Sequence, residues 1–503
     1  VRGPPSERIF AVWVTVAYLA VALFAMGHHE MWRDELHCWL VARDSATPWA
    51  VVHNRAYDGQ PPLWYLLLWV LEKTTHDPGS MQVVHVGIAT AAVWIFVRHA
   101  PLPLPLRALF PFGYFVAYEY VALSRCYGLA LLFALLLCVR HPLRMTRPIP
   151  TALLLAGLAL TTTVATMVAA GYAAALAVEY IEGMWRGDPA VRRGWIPLLA
   201  ASTGGVAAAL CTWPPADSTV THVVWPHELP SDDAPTRLIV ALFPVPRPDF
   251  FFWNSNALLS YDPFRHVALW VSMALAAWIL FLLSGARMAT VLFAVGSVLL
   301  VLLFAFVYGG DVRHQGFLYV LLLMGAWIAK HPEGGPAPVG WRLFRDRALS
   351  GTLAVVFLAH IAGAAVALYF DGKYIFSSGQ RAARVLRANG LENSLLVAEM
   401  DFPATAVIGW LGRNQFAYTP RTGRRFSFVK WTADRHWDPT DAETLAYASA
   451  AASLRGRDVI LLMNRPLLPE SIDGAKVSQI AELFDSMIQE ENFYIYRVRG
   501  DRP

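Results

Sequence analysis

Residues 31–65 read MWRDELHCWLVARDSATPWAVVHNRAYDGQPPLWY, and their position beside a membrane-length run decides the fold. The preceding residues, 9–26, are an unbroken apolar stretch of about the length that crosses a bilayer. The acidic pair Asp34-Glu35 therefore falls at a membrane surface. A second acid, Asp58, precedes a Gly-Gln-Pro-Pro turn that opens another apolar helix. Carboxylates at such a boundary are costly unless they pair, bind a cation or do chemistry.

Outward from this stretch, the composition agrees with a membrane protein. Of 503 residues, 56% are hydrophobic and only 16% charged. Apolar runs of about 20 residues recur through the first three quarters, the pattern of a polytopic helical chain. The net charge of +4 is small and its basic residues are spread over loops, which argues against a nucleic-acid partner. Cys38, Cys126, Cys138 and Cys211 have no metal-binding spacing. Arg2 and Arg8 precede the first apolar run without a small-residue cleavage pattern. That run is expected to be a retained anchor, with the N-terminus cytoplasmic.

Basic clusters then sort the loops. They fall at Arg98/Arg107, Arg140/Arg144/Arg147, Arg186/Arg192/Arg193, Arg287 and Lys330/Arg342/Arg345/Arg347. Residues 108–139 are too long for one span at ~1.5 Å per residue, so they should form a hairpin turning near 118–125. Residues 149–182 should do the same, turning near 161–163. With every cluster in the cytoplasm, the count is about eleven spans in residues 1–370. Residues 63–71 are too short to be one of them. They fit a juxtamembrane helix whose Pro61-Pro62 start costs little in lost N–H groups, inside a first external loop over 28–79. The tail, 371–503, alternates helix-like (379–389, 442–455) with strand-like stretches (395–398, 459–462, 493–498) and should be a small extracytoplasmic α/β domain. The expected fold is an all-α polytopic membrane protein of the cytoplasmic (inner) membrane carrying that domain.

This topology collects polar groups on one face: Asp34, Glu35, His37, His53 and Asp58, then Glu119 and Arg125, Asp217, and finally Asp311, Arg313 and His314. Such a set suits group transfer from a lipid-linked donor. A carboxylate can deprotonate an acceptor hydroxyl, and arginine forks can hold a departing phosphate. Asp34 and Glu35 lie about 100° apart on a helix, so they cannot both aim at one atom. One should face the cavity while the other caps the helix or pairs with a base such as Arg33. Asp34 and His37 share a face at i, i+3 and could hold a divalent cation, although hydrogen bonding accounts equally for the spacing. No other cofactor is implied.

Four motifs in order resemble the GT-C superfamily of membrane glycosyltransferases, most nearly the branch of protein O-mannosyltransferases and the lipid A aminoarabinose transferase. They are Asp34-Glu35 after the first span, then Asp58-Gly59-Gln60-Pro61-Pro62-Leu63-Trp64-Tyr65, which is similar to the family's His-Pro-Pro-Leu motif with Gln60 in the histidine's place. Glu119-Tyr120 with Ser124-Arg125-Cys126-Tyr127 follows, and Arg313-His314-Gln315-Gly316 opens a late span. The resemblance implies a polyprenyl-phosphate-linked sugar as donor and an extracytoplasmic glycan, lipid or protein as acceptor. It also implies a catalytic aspartate in the first external loop. On it, Asp34, Glu35 and Glu119 are the candidate catalytic acids, and Asp58, Gln60, Arg125, Tyr127, Arg313 and His314 the candidate substrate contacts. A transporter or flippase for lipid-linked saccharides is the competing class. It should show inverted repeats and broken helices near the midplane, whereas here the polar groups gather at one face. A polymerase or ligase of lipid-linked glycans shares the same lipid chemistry.

Overall fold

The computed structural model describes residues 5–219, 233–331, 340–435, 438–468 and 476–500; Arg2 and part of the segment after residue 213 lie outside them. Among the described residues, seven helices are long and apolar enough to cross a membrane: Pro5–His28, Gly79–His99, Thr163–Trp185, Pro189–Thr212, Arg287–Phe306, Val312–Ala329 and Trp341–Lys373. Four shorter apolar helices join them, Leu63–Glu72, Tyr127–Leu143, Pro148–Ala159 and Ala268–Leu283. Against about eleven spans expected from the charges, seven among the described residues reach full length. Both expected hairpins form, but each has a short first limb. Residues 104–119 are broken into an α-turn (Leu104–Leu109), a 3-10 turn and a π-helical turn (Phe115–Glu119), as Pro105 and Pro111 remove ladder N–H groups. Pro148–Ala159 is one 12-residue helix turning into Thr163–Trp185. Leu63–Glu72, at 10 residues, is about 15 Å long, about half the thickness of a bilayer's hydrocarbon core.

Val312–Ala329 occupies the bundle centre, with every side chain from Val312 to Ile328 buried, as a helix apolar all round requires. Thr163–Trp185 and Arg287–Phe306 pack backbone to backbone. A Cβ on Gly171 would stand 2.9 Å from the Gly296 Cα, the close approach that small residues allow between membrane helices.

The two ends of the bundle differ in charge. At one end the basic clusters meet acids: Arg107 with Glu7, Arg144 with Glu179, Arg287 with Glu182 and Lys330 with Asp346. The opposite ends of the same helices carry His29, Thr163, Leu303 and Arg313, toward the first loop and the tail. The alternation read from the charges is thus a physical two-sidedness of the bundle.

Trp341–Lys373, at 33 residues about 50 Å long, runs beyond the hydrocarbon and leads into the tail. The tail holds a six-stranded sheet in the order β3-β2-β1-β4-β6-β5. The strands are β1 (Leu395–Ala398), β2 (Ala417–Tyr418), β3 (Arg425–Phe426), β4 (Val459–Met463), β5 (Val477–Leu483) and β6 (Phe493–Val498). β1 is parallel to β4 in the register Leu395↔Val459, and β6 runs antiparallel between β4 and β5. All of β4 is buried, because alternate residues serve two cores. Ile460 and Leu462 face helices Gly379–Ala388 and Asp401–Leu411, while Leu461 and Met463 face Asp441–Arg455. The expected strands at 395–398, 459–462 and 493–498 are present. Helix Asp401–Leu411 and strands β2, β3 and β5 were not anticipated: 401–411 is too evenly apolar to show a period, β2 and β3 have two residues each, and β5 (VSQIAEL) does not alternate strictly.

The first loop docks onto the tail. Arg43, at the C-terminus of helix Arg33–Arg43, donates to the carbonyls of Ile408 (3.4 Å), Gly412 (2.7 Å) and Gln415 (3.0 Å), satisfying the open end of helix Asp401–Leu411. Glu72, its side chain fully buried, is held by Arg413 at 2.8 Å.

Candidate functional site

The adjacent acids of the first loop part company. Glu35 turns inward and accepts three hydrogen bonds: from the Trp32 N–H at 3.3 Å, from His29 Nε2 at 3.0 Å and from the Ser124 N–H at 2.6 Å. It thereby caps its own helix and pins the turn that carries Arg125. The partner of its charge is His29 rather than Arg33. Asp34, one position earlier, faces a cavity of about 420 Å³ at the junction of the bundle, the first loop and the tail.

Seven of the nine residues singled out from the sequence line this cavity: Asp34, Asp58, Gln60, Arg125, Tyr127, Arg313 and His314. Arg313 donates from Nη2 to Asp34 at 3.0 Å and to Asp311 at 2.6 Å, with its guanidinium 5.5 Å from the centre of the Trp32 ring. Arg125 donates to the backbone carbonyl of Asp34. Burial pushes the Asp34 carboxyl up, but Arg313, Arg125 and Arg33 outweigh it and hold the group below the usual carboxylate range. Asp34 is therefore an ionised acceptor facing guanidinium groups.

His314 accepts the Asp311 N–H on Nδ1 at 3.0 Å, so its proton lies on Nε2 and is donated to the Tyr127 hydroxyl oxygen at 2.8 Å. That leaves the Tyr127 O–H able to donate into the cavity. His37 stands 3.7 Å from Asp58; burial lowers its pKa and outweighs the pull of Asp58, which favours the neutral ring. The turn at Asp58-Gly59 needs glycine's freedom, with Gly59 at φ 61°, and Thr163 donates to its carbonyl at 2.7 Å. Gln60 leaves its buried Oε1 without a partner.

Glu35 and Glu119 do not line the cavity. Glu119 is buried at the end of the π-helical turn and accepts the Tyr114 hydroxyl at 2.8 Å. Among the described residues no three His, Cys, Asp or Glu side chains cluster as a metal site, and Asp34 and His37 are engaged with Arg313 and Asp58. Several residues that line or support the cavity escaped sequence reasoning. Arg33, 5.1 Å and 5.0 Å from the Trp32 and Phe402 ring centres, adds a third guanidinium. Asn254 fixes the start of the central helix by bonding Asp311 at 2.9 Å and the Val312 N–H at 3.1 Å. The tail supplies a roof of Phe402, Thr405, Val429 and Trp431. For Arg33 a signal existed, since it adjoins Asp34; the roof residues carry none.

The cavity is thus cationic, with three arginines against Asp34 and Asp58. One wall is apolar, formed by Leu303 in the last turn of the membrane-length helix Arg287–Phe306 and by Val307 at its C-cap. The arrangement can bind an anion at the boundary and present a carboxylate to it.

No family model matches the chain, and no curated protein matches it. Among solved structures it is similar to the arabinofuranosyltransferase AftD from Mycobacteria, determined by single-particle cryo-EM, with 13% identity and a TM-score of 0.37. The match takes in 98% of this chain and 40% of that one, so the chain spans less than half the length of that protein.

Proposed function

We propose that the chain is an inverting membrane glycosyltransferase of GT-C type, moving a sugar from a polyprenyl-phosphate donor to an acceptor outside the cytoplasm. The observation that carries this reading is Asp34 facing Arg33, Arg125 and Arg313 in one cavity bounded by an apolar membrane wall. The prenyl chain would lie along Leu303 and Val307, placing the phosphate among the arginines. Binding the phosphate would draw Arg313 from Asp34, so the carboxylate regains basicity when the donor is seated. Asp34 would take the proton from the acceptor hydroxyl as that oxygen attacks the anomeric carbon. The bond from that carbon to the phosphate oxygen breaks, and its electron pair leaves with the polyprenyl phosphate. Arg125 and Arg313 would stabilise the charge that develops there. Tyr127, its hydroxyl oriented by His314, would donate to the phosphate or the sugar.

The test is turnover. Purified protein given farnesyl-phosphate-linked mannose, glucose or arabinose together with glycan, lipid and peptide acceptors should release free farnesyl phosphate from one of the donors. A donor moved across vesicles but recovered intact would instead identify a transporter.

A further inference from the structure

A second cavity, of about 630 Å³, lies between the first loop and the tail, lined from one side by Asp44, Asn54 and Tyr57 and from the other by residues 416–435. It shares a wall with the first. Along residues 428–432 successive side chains fall to alternate sides. Val429 and Trp431 line the arginine-rich cavity, while Phe428, Lys430 and Thr432 line the second. His37, in the first cavity, meets the Phe428 ring edge-on at 6.2 Å. The two spaces are therefore separated by one layer of side chains.

Their chemistry differs. In the second cavity four aspartates face four basic side chains, and most are already matched. Arg435 is paired with Asp401, Arg424 holds Asp434 at 2.6 Å, and the Tyr57 hydroxyl donates to Asp217 at 3.0 Å. The lining's formal charge is zero, four acids against four bases; Asp44 is held by Arg43 from outside it, and Arg425 and Lys430 lie over the Phe416 and Phe428 rings. The lining holds a high density of oriented donors and acceptors, with threonine and serine hydroxyls among them. The rings of Tyr57, Phe426 and Phe428 give it flat apolar faces. Paired polar edges with aromatic faces match a sugar, whose C–H faces are apolar and whose hydroxyls both donate and accept.

We propose that this second cavity binds a neutral oligosaccharide, the acceptor, and delivers its end past Phe428 toward Asp34. In calling the ligand an acceptor, the inference rests on the transferase reading. The ligand class itself rests on the balanced charges and the rings.

The test uses the full chain in lipid nanodiscs and a panel of maltohexaose, mannohexaose, arabinohexaose and hexagalacturonate. At least one neutral hexasaccharide should bind, with little dependence on salt because no ions are exchanged. Phe428→Ala and Tyr57→Ala should each weaken it by about tenfold or more, with unchanged thermal unfolding as the control for folding. Two substitutions on opposite walls guard against one variant failing to fold. Binding of none of the neutral probes, preference for hexagalacturonate, or unchanged affinity in both folded variants would overturn the proposal. Release of farnesyl phosphate, measured separately on the same wild-type sample, tells the two readings apart. Glycan binding without donor cleavage on any tested donor counts against the transferase and leaves this site standing; cleavage without glycan binding does the reverse.

Discussion

Asp34→Asn is expected to lower sugar transfer by about a thousandfold, within the range that a positioned general base contributes, while the protein stays folded. The side chain is nearly isosteric and 30% exposed, so no core is opened. Arg313 keeps its 2.6 Å bond to Asp311 and is not left without a partner. Donor affinity should hold or rise, because the carboxylate that competes with the phosphate for Arg313 is gone. The loss should therefore appear in kcat with KM for the donor unchanged or lower. Initial rates with labelled donor check this, and near-normal turnover in a folded variant would remove Asp34 from the role of base.

The second large effect concerns stability. His29 Nδ1 lies 3.1 Å from Asp371 and Nε2 lies 3.0 Å from Glu35, with all three side chains almost wholly buried. Carboxylates only accept, so both ring nitrogens must carry protons and His29 is an imidazolium. Burial works against that charge, but Asp371 and Glu35 hold the histidine well above its usual pKa. The clamp joins the end of the first span, the helix bearing Asp34 and the end of Trp341–Lys373. His29→Leu leaves two buried carboxylates facing each other and should cost about 3–5 kcal/mol, read as a drop in thermal midpoint. The sign with pH follows from the raised value. The stabilisation is complete below about pH 6.5 and fades as pH rises through the elevated pKa. Wild type should therefore lose its advantage over the variant at high pH. Equal midpoints at pH 6 would contradict the clamp.

The sequence carries much of this plan because the membrane forces it to. Apolar length marks the spans, and basic residues mark one end of each. That is enough to bring Asp34 and Arg313, 279 positions apart, to the same face. The two hairpin turns and the main strands of the tail follow from length and local pattern. What stayed hidden depends on tertiary partners. Whether Asp34 or Glu35 enters the cavity is decided by His29 and the Ser124 N–H, which no local spacing encodes. Glu119 points away because Tyr114 captures it within a π-helical turn that periodicity does not register. The broken limb at 104–119 and the shorter helices Tyr127–Leu143, Pro148–Ala159 and Ala268–Leu283 separate the seven full-length spans among the described residues from the expected eleven or so. The roof residues, from Phe402 to Trp431, come from a segment whose docking depends on Arg43 reaching three carbonyls at and beyond the end of a distant helix.

The central claim is that the cavity beside Asp34 receives a lipid phosphate. A cryo-EM structure of the protein with farnesyl phosphate bound tests it most directly. The account predicts phosphate density within hydrogen-bond reach of Arg125 and Arg313, the prenyl chain along Leu303 and Val307, and Arg313 drawn from Asp34. Density for the phosphate anywhere else, with the Asp34–Arg313 pair intact, would contradict it.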